Sequence, residues 1–283
     1  MSGWHNREYS DNGPFREEVY RRKSKEILKR CLELVKTAKK GHLGGTFSIV
    51  DILVVLYYGQ YLNIYRKNAH NGDSVIIGKG HANLAFLTIW NELGYIPTDK
   101  LLMYGEDGEF GGQLDTTKYR IIDNITGSLG HAIGIASGIC IANRLDKSPD
   151  KAIAIVGDGE MEEGSIWESM NFAASQKLNN LLCIVDRNRL SVTHFIENDN
   201  LEEKAKAFGW NVFTADGHNH SNIEHYLDIF FRKNKTNRDE KPMMIIANTI
   251  KGKGVSYMEN EAKWHHGCPT DDEYEQAILE LEA

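Results

Sequence analysis

KAIAIVGDGEMEEGSIWESMNFAASQKLNNLLCIVDRNRLS, residues 151–191, decides how this chain folds. Its first apolar run, Ala152 to Val156, breaks into Gly157-Asp158-Gly159. An acidic, helix-compatible segment (Glu160 to Lys177) leads to a second run, Leu181 to Val185, which ends in Asp186-Arg187-Asn188. Short, bounded runs rich in β-branched residues suit buried parallel strands, and one helix crossing between them makes a βαβ unit. Ligands of open parallel sheets sit beyond the carboxyl ends of the strands, where Asp158 and Asn188 both fall. The two offer hard oxygen ligands thirty residues apart, on neighbouring strand ends.

Charge decides what they bind. Glycines after a strand suit a phosphate held by backbone N–H groups. Yet Asp158, Glu160, Glu162 and Glu163 crowd the same turn, and carboxylates repel phosphate. A divalent cation resolves the conflict, because Mg²⁺ takes one or two protein oxygens and completes its octahedron with ligand phosphate and water. The reading is a metal-bridged diphosphate. A dinucleotide fingerprint fits less well: G-x-G-x-x-G would need glycine at Glu162, and G-x-x-x-x-G-K-[ST] is absent.

Gly157-Asp158-Gly159, a gap of twenty-eight residues and then Asn188 resemble the thiamine-diphosphate-binding signature, and the wording from Gly157 to Asn188 resembles transketolases. The resemblance implies an α/β fold, an open parallel sheet flanked by helices on both faces (the PP-type domain of thiamine enzymes). It implies thiamine diphosphate and Mg²⁺ (or Ca²⁺ or Mn²⁺) as cofactors. Asp158, Asn188 and the backbone carbonyl of Leu190 would hold the metal, with Gly157, Gly159 and Glu160 against the cofactor.

The hydrophobic and charged fractions are ordinary for a soluble globular protein. Net charge is −7, without a basic block or aromatic–basic interleaving, so nucleic acid is not an expected partner. The longest apolar runs, around Ile49–Tyr58, are too short and interrupted to span a bilayer. Met1 to Pro14 is polar and reads as an arm. Cys31, Cys140, Cys183 and Cys268 lack C-x-x-C spacing; the expectation is free thiols in a reducing cytoplasm.

Phe15 to Lys39 reads as a helix, with Ile27, Leu28, Cys31, Leu32, Leu34 and Val35 at helical spacing. Gly41 to Gly45 ends it in a glycine-dense turn where backbone can approach a ligand, and Phe47 to Tyr58 resumes a helical pattern. GHLGGTFSIVDILVVLYYG (41–59) resembles the first catalytic-histidine region of transketolases, which makes His42 a catalytic candidate. Asp73 to Gly78 reads as a strand, and Lys79-Gly80-His81 brings a cation and an imidazole to its end, as an anionic group requires. That segment resembles the family's Ser-Lys-Gly-His-Gly, with Gly78 where serine is usual and Ala82 where glycine is frequent. The resemblance puts His81 on the cofactor diphosphate, beside Lys79.

Leu84 to Leu93 and Pro97 to Tyr104 are expected helices, and Gly105 to Asp123 a covering loop. Within it, Phe110 to Asp115 resembles the family's Gly-His-Pro segment, with Gln113 replacing the histidine that contacts donor hydroxyls. Gln113 can hydrogen-bond but carries no charge, so the usual ketose-phosphate donor is in question. Thr126 to His131 opens a small-residue helix to about Arg144. By resemblance the Gly127 carbonyl meets the aminopyrimidine and Leu129 props the bent cofactor. Glu163 and Glu168 match positions facing a partner chain, the alternative being a solvated helix face. Ser191 to His194 departs from the family's wording and reads as a substrate-specific rim.

Ala207 to Ala215 and Met243 to Asn248 are the expected last strands, with Ile223 to Phe231 the helix between them. Lys251 is a diphosphate contact by resemblance to Thr-Ile-Lys-Gly-Lys-Gly-Val. Trp264-His265-His266-Gly267 resembles the family's terminal His-Gly, with His266 the better match to a residue on the cofactor and His265 the alternative. A zinc site from His265, His266 and Cys268 lacks a second ligand pair. Asp271 to Leu281 reads as a closing helix.

The resemblance covers roughly Phe15 to Leu281. In this family the glutamate that activates the cofactor belongs to a second, pyrimidine-binding domain, for which no room remains after Ala283. The expectation is therefore an arm (1–14) and one diphosphate-binding domain (15–283), forming one subunit of a split transketolase. A C-terminal transketolase-like subunit would bring the pyrimidine-binding domain and the activating glutamate, in an α2β2 heterotetramer. The pair would pass a two-carbon ketol unit from a ketose (phosphate) donor to an aldehyde acceptor, with His42, His81 and His266 handling protons and Gln113 at the donor. Two alternatives stand beside it. One is a thiamine enzyme that decarboxylates a 2-oxo acid, which Gln113 favours. The other is a non-catalytic regulatory subunit, against which Asp158, Asn188 and the histidines are intact.

Overall fold

A computed structural model describes residues 14–64, 72–106, 109–114, 118–190, 195–196, 200–232 and 240–283. Its centre is a five-stranded sheet: β1 (Ser74–Ile77), β2 (Ala152–Gly157), β3 (Leu181–Arg187), β4 (Asn211–Asp216) and β5 (Met243–Asn248). The spatial order is β1-β2-β3-β5-β4 and every pairing is parallel. Because both faces are covered, β3 is buried along its whole length, and Leu181 to Val185 reads as an unbroken apolar run rather than an alternating one.

Side chains still alternate between faces. Ile153, Ile155, Leu182, Ile184 and Ile245 enter a core under α1 (Pro14–Ala38), α3 (Val50–Tyr58), α4 (Asn83–Glu92), α9 (His220–Phe231) and α10 (Asp271–Glu282). Ala154, Val156, Cys183, Val185 and Ile246 enter the opposite core, under α6 (Ala132–Leu145), α7 (Gly164–Ser175) and α8 (Leu201–Ala207). Two short helices, α2 (Leu43–Phe47) and α5 (Thr98–Leu101), complete the set. The β1→β2→β3 crossovers run one way, with α6 and α7 over one face; β4→β5 runs back, with α9 over the other. Strand order thus reverses between β3 and β5, and a crevice opens there at the carboxyl ends.

Several expectations change in detail, and the helix expected over Pro97 to Tyr104 is only the short α5. Residues 201–207 are helix, so no strand begins at Ala207. Gly209 (φ +91°) ends the helix in a Schellman turn, with Trp210 N–H donating to Ala205 O and Gly209 N–H to Lys206 O, and β4 starts only at Asn211. The small-residue helix begins at Ala132 rather than Thr126, because Gly127 (φ +132°) and Gly130 (φ +90°) hold 127–130 in a turn. Leu43 to Phe47 forms a helical turn separate from α3, overlapping both the expected glycine turn (Gly41 to Gly45) and the expected start of the next helix at Phe47. Pro14 occupies the first position of α1, where its missing N–H is not needed. The rest of the expected arm, the 191–194 rim and parts of the 105–123 loop lie outside the described residues. All four cysteines are free, and among the described residues no helix is long and apolar enough to cross a membrane.

Candidate active site

A cavity opens where β1, β2, β3 and β5 end, and Lys79, Asp158, Asn188 and Lys251 line it from those ends. Gly157 and Gly159 form one wall. A Cβ on Gly157 would meet only Lys79 Cδ at 4.0 Å, and one on Gly159 only Ile196 Cδ1 at 3.4 Å, so the backbone here is open to a ligand. Leu129 comes from the 127–130 turn, and nothing stands within 4 Å of a Cβ built on Gly127. On the other side Gly45 of α2 lies against His81; a side chain there would sit 3.0 Å from the imidazole Cδ2.

The polar floor is dense. Asp158 Oδ1 accepts from Gly159 N–H (2.9 Å) and Oδ2 from Arg189 N–H; burial and then the neighbouring Asp186 push the carboxyl up to about 6. Asn188 Oδ1 accepts from Leu190 N–H at 3.1 Å, and the Leu190 carbonyl accepts from Lys251 Nζ at 2.9 Å. Burial, then the charge of Lys79, lowers Lys251 to about 8. Lys79 is 1 % exposed and pairs its ammonium with Asp186, which also accepts from Ser48 Oγ (2.7 Å), Asn188 Nδ2 (3.1 Å) and Thr249 Oγ1. Burial works against that anion, but Lys79 and the hydroxyl donors outweigh it and hold its pKa below the usual range. Asp186, Ser48 and Thr249 are not among the sequence candidates. Only a charged residue closing an apolar run could have pointed to Asp186.

Glu160 is also buried. Its Oε1 accepts from Gly130 N–H at 3.0 Å, its Oε2 has no hydrogen-bond partner among the described residues, and burial pushes it up to about 7. A Cβ on Gly78 would lie 2.0 Å from that Oε2, which explains glycine where serine is usual.

Above the floor four imidazoles meet. His42 lies 5.7 Å from His81, 5.4 Å from His265 and 4.6 Å from His266, ring centre to ring centre, and His81 lies 5.0 Å from His265. His265 lines the cavity with Nδ1 3.2 Å from Lys251 Nζ, whereas His266, expected as the cofactor-facing residue, is exposed and outside the lining. The backbone decides this. Trp264 is buried, with Nε1–H donating to Tyr257 O; His265 ends a 3-10 turn and His266 is extended (φ −145°, ψ 127°), so although both rings abut His42 only His265 reaches the cavity lining. Burial and then positive neighbours lower His42 and His265 to about 4, and His81 well below its usual value. All three are neutral bases at neutral pH. Gln113 packs beside Gly80, its Oε1 accepting from Thr126 Oγ1 at 3.3 Å, and Gly112 abuts His42. Glu163 and Glu168 are exposed. Among the described residues no group of three His, Cys, Asp or Glu could hold a metal ion, which sets aside zinc on His265, His266 and Cys268.

Residues 22–280 match the family described as transketolase, thiamine diphosphate binding domain. An apulose-4-phosphate transketolase subunit of Phocaeicola vulgatus is 34% identical over 270 residues, covering 93% of this chain and 94% of that protein. The 6-deoxy-6-sulfo-D-fructose transketolase subunit SqwG of a Clostridium species is 33% identical, covering 90% and 94%. Human transketolase is 31% identical over 88% of this chain, which spans only 40% of that longer protein. The crystal structure of Campylobacter jejuni transketolase superposes with a TM-score of 0.82 over 93% of this chain and 43% of that one, at 24% identity, a likeness of fold.

Proposed function

The chain belongs to the transketolase family through its thiamine diphosphate binding domain, and from that premise we propose that it is the diphosphate-binding subunit of a heteromeric transketolase. With a separate partner it transfers a two-carbon ketol unit from a ketose or ketose-phosphate donor to an aldehyde acceptor. One observation carries this reading: Asp158, Asn188 and the Leu190 carbonyl converge with the Lys79 and Lys251 side chains on one cavity at the strand ends. The donor set fits the cofactor. One carboxylate and two neutral oxygens suit Mg²⁺, with Ca²⁺ or Mn²⁺ as substitutes, and Lys251 with the open Gly157 and Gly159 backbone suits a diphosphate. Thiamine diphosphate, when bound, supplies the nucleophilic carbon and electron sink that cleavage of a ketose carbon–carbon bond requires.

The chain's own residues do the rest. His42 and His265, neutral at working pH, take a proton from a donor hydroxyl and return it to the acceptor's carbonyl oxygen. His81 hydrogen-bonds the diphosphate side of the cavity, and Gln113 binds a donor hydroxyl as a neutral group. Relatives of matching length that are themselves named as transketolase subunits support a two-chain enzyme. The partner then contributes the pyrimidine-binding domain and its activating glutamate in an α2β2 assembly, and the free cysteines suit a reducing cytoplasm.

The test is reconstitution with the partner chain. Mg²⁺-dependent thiamine diphosphate binding and ketose consumption are expected, with both lost in Asp158→Ala. Undiminished cofactor binding by Asp158→Ala refutes the site; CO₂ release from pyruvate without ketose turnover refutes the ketol transfer.

A further inference from the structure

We propose that Asp186 is a positioning residue that fixes which end of the Asn188 amide faces the metal. The proposal rests on the reading of Asn188 as a metal ligand. An asparagine amide has two ends of similar size and opposite character: its oxygen accepts, and its nitrogen only donates and cannot bind a cation. Here both ends are specified. Nδ2 donates to Asp186 Oδ2 at 3.1 Å, and Oδ1 accepts from Leu190 N–H at 3.1 Å, which leaves a lone pair of that oxygen for a cation. Turned over, the amide would set its NH₂ against the Leu190 N–H and its oxygen against a carboxylate. Both contacts would be repulsive.

Asp186 can impose the orientation because it cannot itself move. It is 0 % exposed, and its carboxylate is tied from three further elements: Lys79 after β1, Ser48 between α2 and α3, and Thr249 after β5. Its backbone is locked as well, in register with Gly157 of β2 and Ala247 of β5. Asn188, just past the end of β3, is the partner that must conform. Groups that orient a metal ligand from behind change metal affinity typically 10–100-fold when removed.

The experiment uses the reconstituted complex and reads the Mg²⁺ concentration at half-maximal thiamine diphosphate binding, by tryptophan fluorescence and without substrate. Asp186→Asn supplies an amide that can still accept from Lys79 but no longer discriminates the ends of Asn188. The expected result is a 10–100-fold higher Mg²⁺ requirement. The exchange variant Asp186→Asn/Asn188→Asp should return it to within about threefold, because a carboxylate at position 188 offers an oxygen at either end and the amide at position 186 can donate to it. The added charge at position 188 is controlled by Asn188→Asp alone: if that change lowers the Mg²⁺ requirement by the same factor with Asp186 present as in the Asp186→Asn background, the effects are additive and the proposal is overturned. An unchanged requirement in Asp186→Asn, or a folded exchange variant that stays weak, overturns the proposal. If Asp186→Asn does not fold, the exchange variant alone decides by the same criterion. Wild-type complex that binds no cofactor at any Mg²⁺ concentration overturns the site itself; normal wild-type binding with an indifferent Asp186→Asn overturns only the positioning role.

Discussion

Gly78→Ser would restore the residue usual in the family, and the structure argues that it damages this protein. A Cβ at position 78 lies 2.0 Å from Glu160 Oε2 and 2.4 Å from Oε1, about 1.4 Å short of ordinary contact. The Glu160 carboxyl is the far end of a flexible side chain, but it is 1 % exposed and holds Gly130 N–H at 3.0 Å. If it stays, the overlap must be absorbed by backbone, at about 1–3 kcal/mol. If it swings away, a buried N–H and a buried carboxyl lose each other, again about 1–3 kcal/mol. The chain takes the cheaper of the two or a compromise between them, so the expected loss is about 1–3 kcal/mol, or roughly 2–6 °C in Tm. The assay is urea and thermal unfolding of Gly78→Ser, Glu160→Ala and the double variant. With the carboxyl gone the serine has room, so the cycle should show a coupling of at least about 1 kcal/mol. A Gly78→Ser protein that melts within a degree of wild type, or that loses as much in the Glu160→Ala background, refutes the reasoning.

Two further outcomes follow from the imidazoles. His265→Ala should lower kcat/KM of the reconstituted enzyme by about 10²–10³-fold and His266→Ala by less than about tenfold, since only His265 lines the cavity; equal losses would contradict the assignment. His220 is bridged by Asp51 (3.1 Å) and Glu17 (3.0 Å), whose pull overcomes burial and raises its pKa, so it favours the folded state below about pH 6.5 and loses that contribution as pH rises through the folded value. Comparison of urea midpoints should therefore find His220→Gln further below wild type at pH 6 than at pH 9, and a pH-independent difference would show that the bridge is not charged.

The sheet is legible in the sequence where burial forces a simple pattern. β5 falls on Met243–Asn248 as expected, and β2 and β3 fall within a residue or two, because a strand covered on both faces is apolar along all but its carboxyl end. α8 is not legible, and its shortness is the reason. Only Leu201 and Ala205 are buried in seven residues, too few repeats for helical spacing to stand out. The stronger signal is its end, where Gly209 can take the left-handed conformation that closes a Schellman turn.

In the site, Lys79, Asp158, Asn188 and Lys251 are legible because each follows a strand, and parallel strands deliver their carboxyl ends to one edge. What surrounds them depends on pairs far apart in the chain. Asp186 meets Lys79, Ser48 and Thr249 across 107, 138 and 63 residues, so its letter, alone at the end of a run, resembles any turn aspartate. The choice between His265 and His266 turns on an extended backbone after a buried tryptophan, which no spacing rule expresses. Gly78 makes the same case from the opposite side. In sequence it is a missing side chain at one strand end and Glu160 an extra charge at another; in space the carboxyl fills the volume the glycine leaves. A departure from a family pattern at a strand's carboxyl end therefore has to be read together with whatever projects from the next strand in the sheet, because neither position is free to change alone.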